Sequence, residues 1–252
     1  MVLLAQGCIT EPTLPPGVGK VTPEQVFADL AIPALDPAEA SFSSMGPIPT
    51  TLSTSRCGYE AGSRSFECPP ITVKGVTLTE SFTLLDVKGA RQSAFDGSTA
   101  SLRLARTVSG TVVDGLGPMT IDGQQELLLS DLLGDRHTLN GSSTAHYTRP
   151  VAELNGKLVT TTITTKLTDL VIPIVPVGAP AAWPLSGKLE VVSVTDADYP
   201  PPYPAPGPIV TRMTITFSGT SLVALSFVSR FQVLSCVTNM AIGLVCSSPP
   251  PG

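Results

Sequence analysis

The chain has 252 residues, of which 42% are hydrophobic, 14% charged and 5% aromatic, and its formal net charge is -5. A real core is within reach, in one large domain or two small ones, but a phosphate-binding surface is not: nucleic-acid binders cluster Lys and Arg, whereas the 15 basic residues here are scattered. Thr, Ser, Val, Gly and Pro fill the remainder, a balance that favours strands and turns over helices.

The first ten residues read MVLLAQGCIT. Leu3-Leu4-Ala5-Gln6-Gly7-Cys8 resembles the lipobox of bacterial lipoproteins, in which an apolar run ends in small residues before a cysteine that is lipidated and becomes the mature N-terminus. The resemblance covers about eight residues. It implies a lipid anchor on Cys8, residues 1–7 as the end of a signal peptide whose start lies upstream, and an extracytoplasmic place in the bacterial envelope, in the outer membrane or periplasm. Residues 8–21, rich in Pro, Gly and Thr, then read as a flexible tether.

A single β-rich domain is expected over residues 22–248, with 249–252 as a tail. Thr22 caps a short N-terminal helix, Pro23 suits its first position, and Val26, Phe27 and Leu30 supply an apolar stripe that Pro33 ends. Residues 41–70 read as a loop region pinned by a disulfide. Beyond Cys8, the cysteines are Cys57, Cys68, Cys236 and Cys246. Four cysteines allow three pairings; the local one, Cys57–Cys68 and Cys236–Cys246, is the simplest, and each bridge would add about 2–3 kcal/mol by restricting the unfolded chain.

From Ile71 the apolar period is two. Strands are expected over 71–87 (with a bulge near Gly75), 99–113, 118–129, 134–139, 143–148, 157–172 and 188–194. Turn signals stand at Asp114-Gly115, Gly117-Pro118, Asp122-Gly123, Asn140-Gly141 and Asn155-Gly156. Such short connections imply an antiparallel meander. The proline-broken run 170–185 reads as extended chain on a surface or along a sheet edge. In the last stretch Met213, Ile215, Phe217, Val223, Leu225, Phe227 and Phe231 are all odd-numbered, so parity survives whatever loop surrounds Gly219-Thr220. A loop of three residues is expected there.

Catalytic signatures are missing: there is no G-x-S-x-G elbow, H-E-x-x-H, P-loop or G-x-G-x-x-G after a strand. No cofactor or enzymatic activity is expected. Only two histidines occur. A hairpin at Asn140-Gly141 would bring Asp135, His137 and His146 together as nitrogen and oxygen ligands for zinc. The plainer expectation is two polar residues on a solvent face.

The fold expected is thus mainly β: a curved antiparallel meander, or a partly closed β-barrel or sandwich, with a short N-terminal helix. Two roles suit it. The odd-numbered apolar face would hold a lipid or other hydrophobic ligand, with Phe82, Phe95, Phe217, Phe227 and Phe231 available to fill it; alternatively the domain is a structural or adhesive surface module that engages other proteins or copies of itself.

Overall fold

The computed structural model describes residues 57–73, 75–114, 117–151, 156–174, 183–196, 208–229 and 233–239. The expected helix, the tether, Cys8, Phe231 and Cys246 lie outside these residues. Twelve strands are described: β1 Gly58–Glu60, β2 Ser65–Val73, β3 Val76–Asp86, β4 Arg91–Gln92, β5 Thr99–Asp114, β6 Gly117–Ser130, β7 Arg136–Val151, β8 Lys157–Pro173, β9 Ser186–Asp196, β10 Ile209–Phe217, β11 Leu222–Ser229 and β12 Val233–Asn239. All belong to one sheet, in the order β1-β2-β3-β5-β6-β7-β8-β9-β10-β11-β12, with β4 beside the end of β3. Every pairing is antiparallel and, apart from that of β3 with β5 across the short β4, joins neighbours in the chain, so the expected meander is what forms. The sheet is not closed: no described pairing joins β1 to β12.

Several local expectations change. The sheet begins before Ile71, because β1 and β2 occupy part of the stretch read as loop. Pro69 and Pro70 disguised it. They sit within β2 where the register shifts between Cys68 and Ile71, the kind of ladder irregularity that tolerates residues without an N–H. Gly75 is a turn residue and not a bulge: Val73 pairs with Val76, and Gly75 has φ +84°. Asp122-Gly123 lies inside β6, and 170–173 is the end of β8, where Val171 still pairs with Ser186 of β9 while Ile172 and Pro173 pair with β7.

The largest correction concerns Asn140-Gly141. Instead of turning, these residues lie within β7, which runs unbroken from Arg136 to Val151. Their partner is irregular. An extra residue in β8 shifts its register against both neighbours, and Asp169 takes φ +46° there. The Asp169 N–H donates to the Asn140 side-chain oxygen at 2.8 Å. Gly141 keeps its place for lack of a side chain, since a Cβ would strike the Glu126 carbonyl oxygen and the Leu127 side chain. The bulge also explains why Leu167 and Leu170, three apart, both face the core.

Register turns the alternating pattern into continuous rungs across the buried face. One rung joins Phe66, Phe82, Leu104, Leu127, Gly141, Leu167, Leu189, Ile215 and Leu225. A second, one step along the strands, carries Leu84, Leu102, Leu129, Leu139 and Leu170. Leu170 and Ile215 are 0% exposed. The opposite face is rich in Thr and Ser, several of which bond across strands, as in Thr79–Thr107 and Thr148–Thr160.

The apolar residues expected on one face are there. Met213, Ile215, Phe217, Val223 and Leu225 are buried, and Phe227 packs against them half-buried. The Thr216↔Ala224 pairing preserves their parity, although the strand ends leave four residues, 218–221, between them in place of three. Phe95 is an exception: it lies in the loop after β4, 54% exposed, outside the core. Phe66, read as loop, replaces it.

Candidate functional site

The expected zinc set does not assemble. His137 and His146 are nine residues apart in one strand, about 30 Å at ~3.3 Å per residue. An odd separation along a strand without a bulge of its own also places them on opposite faces. His146 is exposed, with Nδ1 3.0 Å from the Thr162 hydroxyl. His137 is half-buried, and its Nδ1 has no partner. Asp135 is engaged by Arg136 at 3.1 Å, a bond that holds its carboxyl below the ordinary value. Among the described residues no three of His, Cys, Asp and Glu gather as a metal set.

Cys57 and Cys68 form the expected disulfide, with Cα atoms 4.0 Å apart. It ties the approach to β1 onto β2. Cys236 falls in β12 opposite Leu225, while its expected partner lies outside the described residues.

The feature best able to bind something is the other end of the buried face. Beyond the Phe82 rung comes one that changes character along its length. Glu80, Arg106, Gln125, Ser143 and Thr165 occupy it on β3 to β8, and Val191, Met213 and Phe227 continue it on β9 to β11. Arg106 Nε donates to Glu80 Oε2 at 2.5 Å, so the one charged pair on this rung satisfies itself.

Next are Leu78, Val108, Gly123, Ala145, Ile163, Ser193 and Thr211. The following rung holds Ile121, Tyr147, Thr161, Thr195 and Ile209. Leu78, Val108, Ile121, Tyr147 and Ile209 are half-exposed, although they stand on the same face and the same strands as the fully buried leucines. On β3, β5, β6 and β7 burial therefore fades along the strands, from a filled end to an end where apolar side chains remain open to solvent, whereas on β8 Ile163 and Val159 stay buried.

Residue alternation alone did not single these positions out. In 188–194 both parities carry Val, so the inward placement of Ser193 became visible only through the Ser193↔Thr211 pairing. Tyr147 and Ile121 were on expected strands, but nothing marked which end of each strand would be covered.

No protein-family model, curated protein or solved structure matches this chain. Among the described residues no helix is long and apolar enough to cross a membrane, which says nothing of strands.

Proposed function

We propose that this domain stands outside the cytoplasm of a bacterium, held to a membrane by a lipid on Cys8, and binds a hydrophobic or amphiphilic ligand without catalysis. A single sheet with one apolar face must cover that face, and curling into a trough does so with the fewest added parts. The trough's filled end is the pair of Leu and Phe rungs. Its open end is the binding region.

One observation carries this reading: Leu78, Val108, Ile121, Tyr147 and Ile209 are half-exposed on the face that elsewhere forms the core. Leu78 faces Val108 and Ile121 faces Tyr147 across neighbouring strands, and apolar surface left open next to a core is a usual mark of a binding groove. On this reading the ligand sits at the open end, since the rungs of buried leucines are already filled.

The test is native mass spectrometry of full-length protein extracted from its own membrane, combined with Nile red titration. A co-purifying lipid, and dye fluorescence that Ile209→Glu abolishes while the thermal transition persists, is the expected result. Dye binding that ignores Ile209→Glu would remove the site. Intact-mass analysis addresses the anchor: the first seven residues should be absent and the Cys8 sulfur acylated.

A second reading, a structural or adhesive module, has its own support. On the opposite face at the β11–β12 end, Leu222, Val228, Val233 and Val237 are exposed, Val233 to 72%, beside the last described strand of the sheet. Exposed apolar edges pair with other chains unless guarded. Concentration-dependent association in sedimentation, lost in Val233→Lys, would favour it.

A further inference from the structure

Ser193 and Thr211 stand directly opposite one another across β9 and β10. They are 3% and 5% exposed, and neither hydroxyl oxygen has a hydrogen-bond partner. Elsewhere on this sheet, facing hydroxyls bond each other: Thr161 and Thr195, one rung nearer the open end, are 3.1 Å apart, and Thr148 and Thr160 also 3.1 Å. A buried hydroxyl that gives up water without gaining a partner destabilises the fold, so buried polar groups are nearly always satisfied. Two such groups in register form a gap in that rule that a bound molecule can fill. Directly opposite residues hold their Cβ atoms about 4.5–5.5 Å apart, close enough for both hydroxyls to reach one acceptor or one hydroxyl.

The surroundings restrict what that molecule is. Ile163 flanks Ser193 on β8, and Val191 and Met213 lie one rung deeper; all three are buried. Arg106, on the neighbouring rung, is already paired with Glu80. A carboxylate or phosphate brought here would be a buried charge without a counter-ion, whereas an uncharged group needs only the hydrogen bonds on offer. Toward the open end, Ile209 and Tyr147 supply apolar surface for a chain.

We infer that Ser193 and Thr211 receive the polar group of a lipid whose inserted end is uncharged, a hydroxyl or an ester carbonyl, with its hydrocarbon running outward past Ile209 and Tyr147. This rests on the binding role proposed above and specifies its ligand class. Each serine or threonine hydroxyl both donates and accepts, so an alcohol bridges them as readily as a carbonyl accepts from them.

The test uses the full chain and displacement of Nile red by dodecanol and by dodecanoate. Wild type is expected to release the dye to the alcohol at lower concentration than to the carboxylate. Ser193→Ala/Thr211→Val should hold dodecanol, measured against its own Nile red affinity, about tenfold more weakly than wild type does, and melt no lower, because the lost hydroxyls had no partners. Ser193→Ala alone, the milder change, should weaken dodecanol in the same direction if the double variant does not fold. Equal dodecanol affinity in wild type and the variants, or a wild-type preference for dodecanoate, overturns the inference while leaving the groove standing. Failure of wild type to bind Nile red at all removes the groove, and this assignment with it.

Discussion

Phe66 stacks on Phe82 with ring centroids 4.7 Å apart and planes within 5° of parallel, joining β2 to the core through the Phe66↔Phe82 register. Tyr59 meets the other side of Phe66 edge-on at 5.3 Å, so β1 is held by the same ring. This small aromatic stack closes one end of the sheet. Truncating its inner end, Phe82→Ala, should cost about 3–5 kcal/mol in urea unfolding, since Phe82 is 2% exposed and the gap left behind cannot collapse fully. A loss below 1 kcal/mol would mean the ring is not part of the core.

The disulfide acts on the same region from the covalent side. Cys57 and Cys68 are 11 residues apart in sequence. Replacing both with Ser should lower stability by about 2–3 kcal/mol, the loop-closure entropy returned to the unfolded chain. Dithiothreitol should destabilise wild type by about 2–3 kcal/mol more than it destabilises the double variant.

The β8 bulge gives a sharper prediction. Asn140→Ala removes the acceptor of the Asp169 N–H and should cost about 1 kcal/mol, while Asn140→Asp keeps an acceptor there and should cost less. Gly141→Ala is expected to be worse than either, because its φ is +156° and the new Cβ would collide with the β6 backbone; strain of this kind costs about 1–3 kcal/mol. Chemical denaturation of the three variants side by side orders them. If Gly141→Ala proved neutral, β7 would not run unbroken against β6 at that point.

Acid should loosen the loop after β4. The Asp96 carboxylate accepts from the Ser98 hydroxyl and backbone N–H and from the Gln92 amide, and these bonds, that of the Ser98 hydroxyl foremost, hold it below its ordinary 3.8. A depressed folded-state value means the contribution is complete above about pH 4 and is lost as pH falls through the lower folded-state value. Thermal melts between pH 7 and pH 2.5 should therefore show a smaller acid-induced drop for Asp96→Asn than for wild type. Equal drops would show that the loop contributes nothing to acid sensitivity.

Much of the architecture was legible beforehand, for a simple reason. Alternation in 118–129 and 209–227 is local, and a period of two read on an unbulged strand remains true once neighbours are added. The meander followed from short connections, and the Cys57–Cys68 bridge from proximity. The errors fell where local chemistry is ambiguous. Asn140-Gly141 has the composition of a tight turn, yet the same amide that would close a turn instead caps a bulge in the next strand. Pro69-Pro70 has the composition of a loop, yet a register shift accommodates it inside β2.

By itself, then, the order of residues determined the strands, their number to a first approximation, and which parity of the last ones is apolar. Only the assembled sheet decided that Leu167 and Leu170 share a face, that His137 and His146 do not, and that Ser193 meets Thr211. Those relationships depend on which residue of one strand lies beside which of another, and a one-residue slip at a bulge reverses every side chain beyond it. Register is a property of pairs of strands, and no single strand carries it.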